Sequence, residues 1–415
     1  MTPPVWLLAA LVSLGPLSTD LYLPALPAIA FDFATDTAGV QWTLSGYLLG
    51  FAPAQLLYGP FADRFGRRPA VAVGLAVYLA ATVACALAPS LGALIAARVV
   101  QAVGSCGGPV VARAVVRDTT EPARAAAVYA TIAGLMALAP AVGPVLGGWV
   151  VDAGGWRAAF WLLAIAALAV SLAAAALLPE TIPAPDRTAL EPGRLASAYA
   201  DLLRRPDFLG YALVSAFTYT GLFCFISGSS HVAQTGLGLG PRGYGMLFAA
   251  AVGGYIVGSA IARRVSPRLG IDRSLRLGVG LCVAFGWSGP GALALFGSSV
   301  VSVALPMVLY MSAFALAQAN AQSGAVAPFP EMAGRASALL GFLQWGIAAF
   351  GGLAVAVVLD PAGWAMAFGI AVSATLAGLA ALALLPRLGG GGSTAERSLD
   401  GAQNFRRVGP RRGSP

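Results

Sequence analysis

Two charged side chains in this sequence stand where charge is costly, and any chemistry has to start from them. Asp20, in the stretch LSTDLYLPALP, lies inside an uncharged hydrophobic segment running from about residue 5 to 27, long enough to cross a bilayer as a helix. The other sixteen of the 17 acidic residues fall in predicted loops, at helix ends or in the tail. A carboxyl at membrane depth is costly unless protonated or paired, so by default it marks a proton, ion or substrate path. The plainer reading is a carboxyl that caps or bonds a neighbouring helix. Arg98, in RVVQAVGSCGG, is the second embedded charge. Asp20 falls about four residues past the centre of an outward-running helix, and Arg98 three or four before the centre of an inward-running one. At 1.5 Å per residue both sit roughly 5–6 Å to the outer side of the midplane. An acid and a base at equal depth suggest a pair, direct or through water. A purely structural salt bridge competes with this, although a permanent buried pair is weak support for stability.

The elements that must hold these residues are membrane helices. The 415 residues are 58% hydrophobic and only 10% charged, against about 25% charge in soluble domains. The 52 Gly and 28 Pro are spread through apolar runs, as close helix packing in membranes allows. A net charge of +8 without a basic stripe interleaved with aromatics gives no reason to expect nucleic acid. Cys85, Cys106, Cys224 and Cys282 have no metal or redox spacing, and His231 is the sole histidine, so no metal site, cofactor or catalytic cluster is expected. The N-terminus lacks the positive region of a cleaved signal and reads as the first membrane helix.

Apolar spans fall at about 5–27, 40–60, 70–89, 91–112, 125–151 and 157–179, then at 208–231, 243–262, 276–297, 300–322, 334–359 and 363–386. The fold expected is all-α and polytopic: twelve transmembrane helices in two six-helix, pseudo-symmetric halves. The predicted divisions are a first bundle over 1–180, a central loop over 181–206, a second bundle over 207–387 and a disordered tail over 388–415. Every cationic side chain is Arg, and 22 of the 25 fall on one side of the membrane if the N-terminus is cytoplasmic. The positive-inside rule then puts both termini in the cytoplasm. GPFADRFG at 59–66 is weakly repeated by GSAIARRVSPRLG at 258–270, as two related halves with a site between them would require.

Three motifs add detail. In GPFADRFGRRP, Gly59 and Gly66 would permit a tight turn, Asp63 offers a charge to a helix N-terminus, and Arg64, Arg67 and Arg68 would anchor the inner leaflet. This loop resembles the signature between helices two and three of the major facilitator superfamily. The resemblance makes it a conformational latch for the outward-open state. Arg98 followed by Gln101 is similar to the superfamily's helix-four motif. In LAPAVGPVLGGWV, Gly143, Pro144, Gly147 and Gly148 bare one helix face and loosen the backbone. This stretch resembles the antiporter motif of helix five, found in exporters.

TDLYLPALPAIA, the long stretch from Gln41 to Pro69, ARAVVRD and AGRASALLGFLQ resemble the drug:proton antiporters of the Bcr/CflA type, bacterial exporters linked to bicyclomycin and chloramphenicol resistance. What this implies is a monomeric, non-enzymatic exporter of the bacterial inner membrane, working on small-molecule substrates and protons among membrane lipids. Some relatives carry a second acid two turns before the helix-one Asp; here that position is Val12, which favours exchange through one carboxylate. Tyr22, Tyr47, Gln101, Phe217, Tyr219, Phe223, Phe225, Gln344 and Trp345 are the expected cavity lining, mostly apolar with few polar anchors. Rival readings are an exporter of an amino acid, dipeptide or sugar, a proton symporter, and a membrane enzyme, for which no catalytic constellation exists.

Overall fold

A computed structural model describes residues 3–121, 128, 131–132, 134–136, 138–182, 184–329 and 332–385. The tail expected to be disordered lies outside them. In lipid a backbone must satisfy its own hydrogen bonds, and these apolar runs do so as helices. In chain order they are α1 (Val5–Asp20), a 3-10 turn (Leu23–Ala25), α2 (Leu26–Asp32), α3 (Thr37–Phe65), α4 (Arg67–Ala86), α5 (Leu91–Thr119), α6 (Leu138–Leu177), α7 (Pro192–Leu203), α8 (Pro206–His231), a π turn (Val232–Gly236), α9 (Pro241–Phe296), α10 (Val300–Val326), α11 (Ala333–Val357) and α12 (Trp364–Leu384).

Among the described residues nine helices are long and apolar enough to cross a membrane. Two of these, α6 and α9, each fold back on themselves at a glycine of positive φ, Gly155 and Gly270, and so supply two crossings apiece. The more polar α3, with buried Gln41, Thr43, Ser45 and Gln55, completes the twelve. Helix starts follow local capping: Asp36 Oδ1 accepts from Gly39 N, Ser90 Oγ from Ala93 N, and Ser299 forms a capping box with Ser302.

Three elements differ from the sequence expectation. The first span is not one helix, because Pro24 and Pro27 force a break after Asp20. Helix α3 runs to Phe65, beyond the expected end near 60, since the charges at 63 and 64 are compatible with a helix end and only Gly66, at φ +101°, stops it. The central loop contains α7, which buries Ala198 and Leu202 and donates from Tyr199 Oη to the Leu56 carbonyl at 2.9 Å. In the first half α5 packs against α1, α3 and α4; in the second, α8 packs against α10, α11 and α12. The halves meet along α3 with α11, and where the first arm of α6 meets α9.

Candidate functional site

The break in α1 organises the first half's interior. Asp20 is the last residue of α1 and only 5% exposed. Its Oδ1 accepts from Thr19 Oγ1 at 3.1 Å, while Thr19 also donates to the Pro16 carbonyl. A carboxylate at a helix C-terminus faces the negative end of the dipole, which disfavours its charge and works against the hydrogen bond from Thr19. The turn that follows Asp20 meets the second half, where Ser230 Oγ donates to the Leu23 carbonyl at 2.8 Å and Gln234 Nε2 to the Pro24 carbonyl at 3.0 Å, so the acid stands beside the seam between halves.

Arg98 is fully buried on α5. Because the helix stops at Asp20, the Ser18 carbonyl loses its intrahelical partner, and Arg98 Nη1 donates to it at 2.8 Å. The same nitrogen donates to Gln101 Oε1 at 2.6 Å, and Nε to the Thr43 carbonyl at 3.3 Å. The guanidinium carbon lies 4.4 Å from the ring centres of both Tyr22 and Tyr47. Gln101 passes the network on through Nε2 to Thr82 Oγ1 at 2.8 Å; Tyr22 bonds Thr43, Tyr47 bonds Ser105, and Ser18 bonds Tyr78. Asp20 and Arg98 therefore share one stretch of chain but form no ion pair with each other among the described residues. The freed carbonyl has taken the cation that equal depth suggested for the carboxylate.

Across the seam the expected aromatics join. Tyr47 stacks on Phe51 at 6.2 Å, Phe51 meets Trp345 of α11 at 4.7 Å, and Trp345 meets Tyr219 of α8 at 5.1 Å. Phe223 is buried against Gly352 of α11, and Phe217 is half-buried on the same core. Phe225 is a correction: it faces Phe248 at 5.5 Å and lines an apolar cavity inside the second half with Met307, Tyr310 and Met366. Residue 225 sits two places from Phe223, and that step on a helix turns it to the far side. Gln344 joins a buried cluster that sequence reading missed, with Ser215, Thr218 and Gln318. Uncharged residues in separate helices leave no local signal; only their convergence marks them.

The glycines of the fifth crossing touch this site directly. A methyl group placed on Gly143 would lie 3.0 Å from Asp20 Cβ, and one on Gly147 would strike the Leu21 carbonyl oxygen. Gly148 lies against the backbone of Pro241 and Arg242, and Gly245 against the Pro144 carbonyl. One bare face thus holds both the α1 break and the start of α9. Helix α6 remains helical through Pro144; the non-helical residue is Gly155. Beside this contact Arg242 Nη2 meets Asp152 Oδ2 at 2.8 Å and lies 4.0 Å over Trp149.

The α3–α4 turn requires two corrections. Gly59 lies within α3 facing open space, so Gly66 alone makes the turn. Arg67 does not reach a lipid surface: it is buried, with Nη1 on Asp63 at 2.6 Å and Nε on Asp118 at 3.0 Å. The network's acids outcompete headgroups because they are prepositioned at the end of α3 and on α5. Arg68 Nη2 donates to the Ala175 carbonyl, and Arg64 lies over Phe65. Glu180 completes the turn, accepting from the backbone N–H of Arg67 at 2.9 Å and Arg68 at 3.1 Å. Burial pushes this carboxyl up, but the N–H groups of Ile182, Arg67, Arg68 and Thr181 outweigh it and hold the acid below its ordinary range.

A family model described as Major Facilitator Superfamily matches residues 8–352. The chain is 28% identical over 360 residues to the bicyclomycin resistance protein homolog of Haemophilus influenzae, covering 86% of this chain and 89% of that one. It is 31% identical over 376 residues to multidrug resistance protein MdtL of Escherichia coli, covering 89% and 92%. Among solved structures, the partially occluded inward-open xylose transporter XylE of E. coli matches with a TM-score of 0.73 at 13% identity, over 94% of this chain and 99% of that one. The human organic anion transporter MFSD10 matches with a TM-score of 0.68 at 21% identity, over 92% and 98%. At these identities the solved structures speak to the fold alone.

Proposed function

The chain belongs to the Major Facilitator Superfamily, a multi-pass membrane transporter of small molecules rather than an enzyme, and from that premise we propose that it exports drug-like amphipathic compounds in exchange for protons by alternating access. The observation that carries this reading is Asp20: one buried acid, at a helix break, on the seam between the halves and packed on Gly143. A carboxyl so placed can be emptied toward one side and filled from the other as the halves rock. Asp20 is the proton carrier. Arg98 holds the break open by bonding the Ser18 carbonyl, and so positions Asp20. Tyr22, Tyr47, Gln101, Phe217, Tyr219, Phe223, Gln344 and Trp345 surround the substrate path.

Gly143, Pro144, Gly147 and Gly148 close the outer side, which supports antiport. The turn of Asp63, Arg64, Gly66, Arg67 and Arg68 acts as the latch on the cytoplasmic side. The arginine distribution supports cytoplasmic termini in a bacterial inner membrane, with a monomer of two six-helix units, 1–180 and 207–387, as the working form. The drug-resistance names of the relatives at about 30% identity support the substrate class.

Everted vesicles carrying a pH-sensitive dye test this against a panel of drugs and metabolites. Drugs should release protons from preloaded vesicles with the wild type and fail to do so with Asp20→Asn. Release driven only by amino acids, dipeptides or sugars would move the substrate class to native metabolites, and unchanged release in Asp20→Asn would remove the carrier role.

A further inference from the structure

We propose that the second half carries an uncharged hydrogen-bonding subsite organised by Gln344, which takes a carbonyl or hydroxyl oxygen of a neutral substrate; this rests on the drug-export reading and names the substrate class within it. Gln344 lies on α11 next to Trp345 and is 7% exposed. Its Oε1 accepts from Ser215 Oγ at 2.9 Å and from Gln318 Nε2 at 2.8 Å. Gln318 is itself oriented, since its Oε1 accepts from Thr218 Oγ1 at 3.2 Å. An amide oxygen has two lone pairs, and both are filled. The orientation of Gln344 is thereby fixed, and its Nε2 donates to no protein group among the described residues. A donor pair on a largely buried side chain, held in orientation through its oxygen and without a protein partner, calls for an acceptor.

The first half offers no uncharged equivalent: Arg98 Nη2 is buried and without a partner there among the described residues, but it belongs to a cation. Gln101 is spent at both ends, on Arg98 and on Thr82, and the Arg98 guanidinium is bonded to Ser18, Thr43 and Gln101 between two tyrosine rings. In the second half, α8, α10, α11 and α12 hold no Asp, Glu, Arg or His between their end turns. The acceptor that meets Gln344 therefore belongs to a neutral group, with no ion there to pair a charged one. Trp345 supplies the apolar wall beside it and is covered by Phe51 of the other half. When the halves part, Phe51 leaves with α3 and the wall is opened.

The test is binding to the purified full chain in nanodiscs, using chloramphenicol as a neutral probe with amide and hydroxyl oxygens and tetraphenylphosphonium as a cation without them. Gln344→Leu should weaken chloramphenicol about tenfold, the scale of one lost buried hydrogen bond, and leave tetraphenylphosphonium unchanged. Gln318→Leu, which frees the orientation of Gln344, should weaken chloramphenicol less, again without effect on the cation. Equal chloramphenicol binding by wild type and Gln344→Leu overturns the subsite. A parallel loss of both probes in both variants also overturns it, because it reports packing rather than recognition. Wild type that binds neither probe and moves no protons with any drug would instead remove the export reading on which the subsite stands.

Discussion

At the scale of single residues, charge placement decides most of the behaviour. Asp20→Asn keeps shape and the Thr19 contact but cannot ionise, so the variant should insert normally and lose proton-driven drug extrusion, and whole cells should accumulate more drug than with the wild type. Accumulation at the wild-type level would place the coupling elsewhere. Arg98 acts as a fork, reaching three carbonyl-type oxygens that a lysine cannot span together. Arg98→Lys should therefore lower the melting temperature and export together, because the Ser18 carbonyl is left unsatisfied at a cost of about 1–3 kcal/mol. Full stability and full export in Arg98→Lys would mean that its charge alone matters. Glu180 gives a pH signature outside the membrane. Its carboxyl is held below the ordinary value of 4.5, so its contribution is fully present above that value and is lost as pH falls below it. Glu180→Gln should flatten the acid limb of a thermal-stability profile below about pH 4.5. An identical limb in both proteins would deny Glu180 its role at the α4 N-terminus.

Among the elements, the first arm of α6 joins site to conformation. Its bare face touches α1 at Asp20 and Leu21 and α9 at Pro241 and Arg242, so one helix senses the acid and seals the halves. A branched side chain at Gly147 would collide with the Leu21 carbonyl. Overpacking of this kind costs about 1–3 kcal/mol. Applied to one state of a two-state transporter, that shifts the population about fivefold to over a hundredfold. Gly147→Val should retain drug binding and lose export, and normal export would remove the main support for antiport and reopen the symporter reading. The α3–α4 turn depends on Gly66, which combines positive φ with close approach of the Glu180 carboxylate. The repeated turn at Gly270 has the same backbone but no neighbouring carboxylate at that spot, so the two halves share geometry there without sharing the network.

For the whole molecule, side-chain hydrogen bonds tie the halves beside the α1 break and, at the other end, from Arg113 Nη1 to Ser337 Oγ at 2.9 Å. Beside the break, Gln41 bonds Ser227 at 2.6 Å, Ser230 the Leu23 carbonyl at 2.8 Å, Gln234 the Pro24 carbonyl at 3.0 Å, and Thr37 His231 at 3.3 Å. A cysteine pair at 37 and 231, joined by a short bifunctional reagent, should stop transport reversibly, with little background because the four native cysteines are buried. Cross-linked protein that still exports would show that the end beside the α1 break need not open. Much of this architecture was legible in the sequence. Long apolar runs mark the crossings, and the scarcity of membrane-embedded acids singles out Asp20, because both follow from the cost of charge in lipid, which acts on each segment alone. The tertiary structure decided what each polar group meets. Arg98 found the Ser18 carbonyl rather than the Asp20 carboxylate because prolines a few residues on break α1 and free that oxygen. Ser215, Thr218, Gln318 and Gln344 became a cluster only when three helices brought them together, and hydrogen bonds between helices depend on rotation and register that no single span encodes.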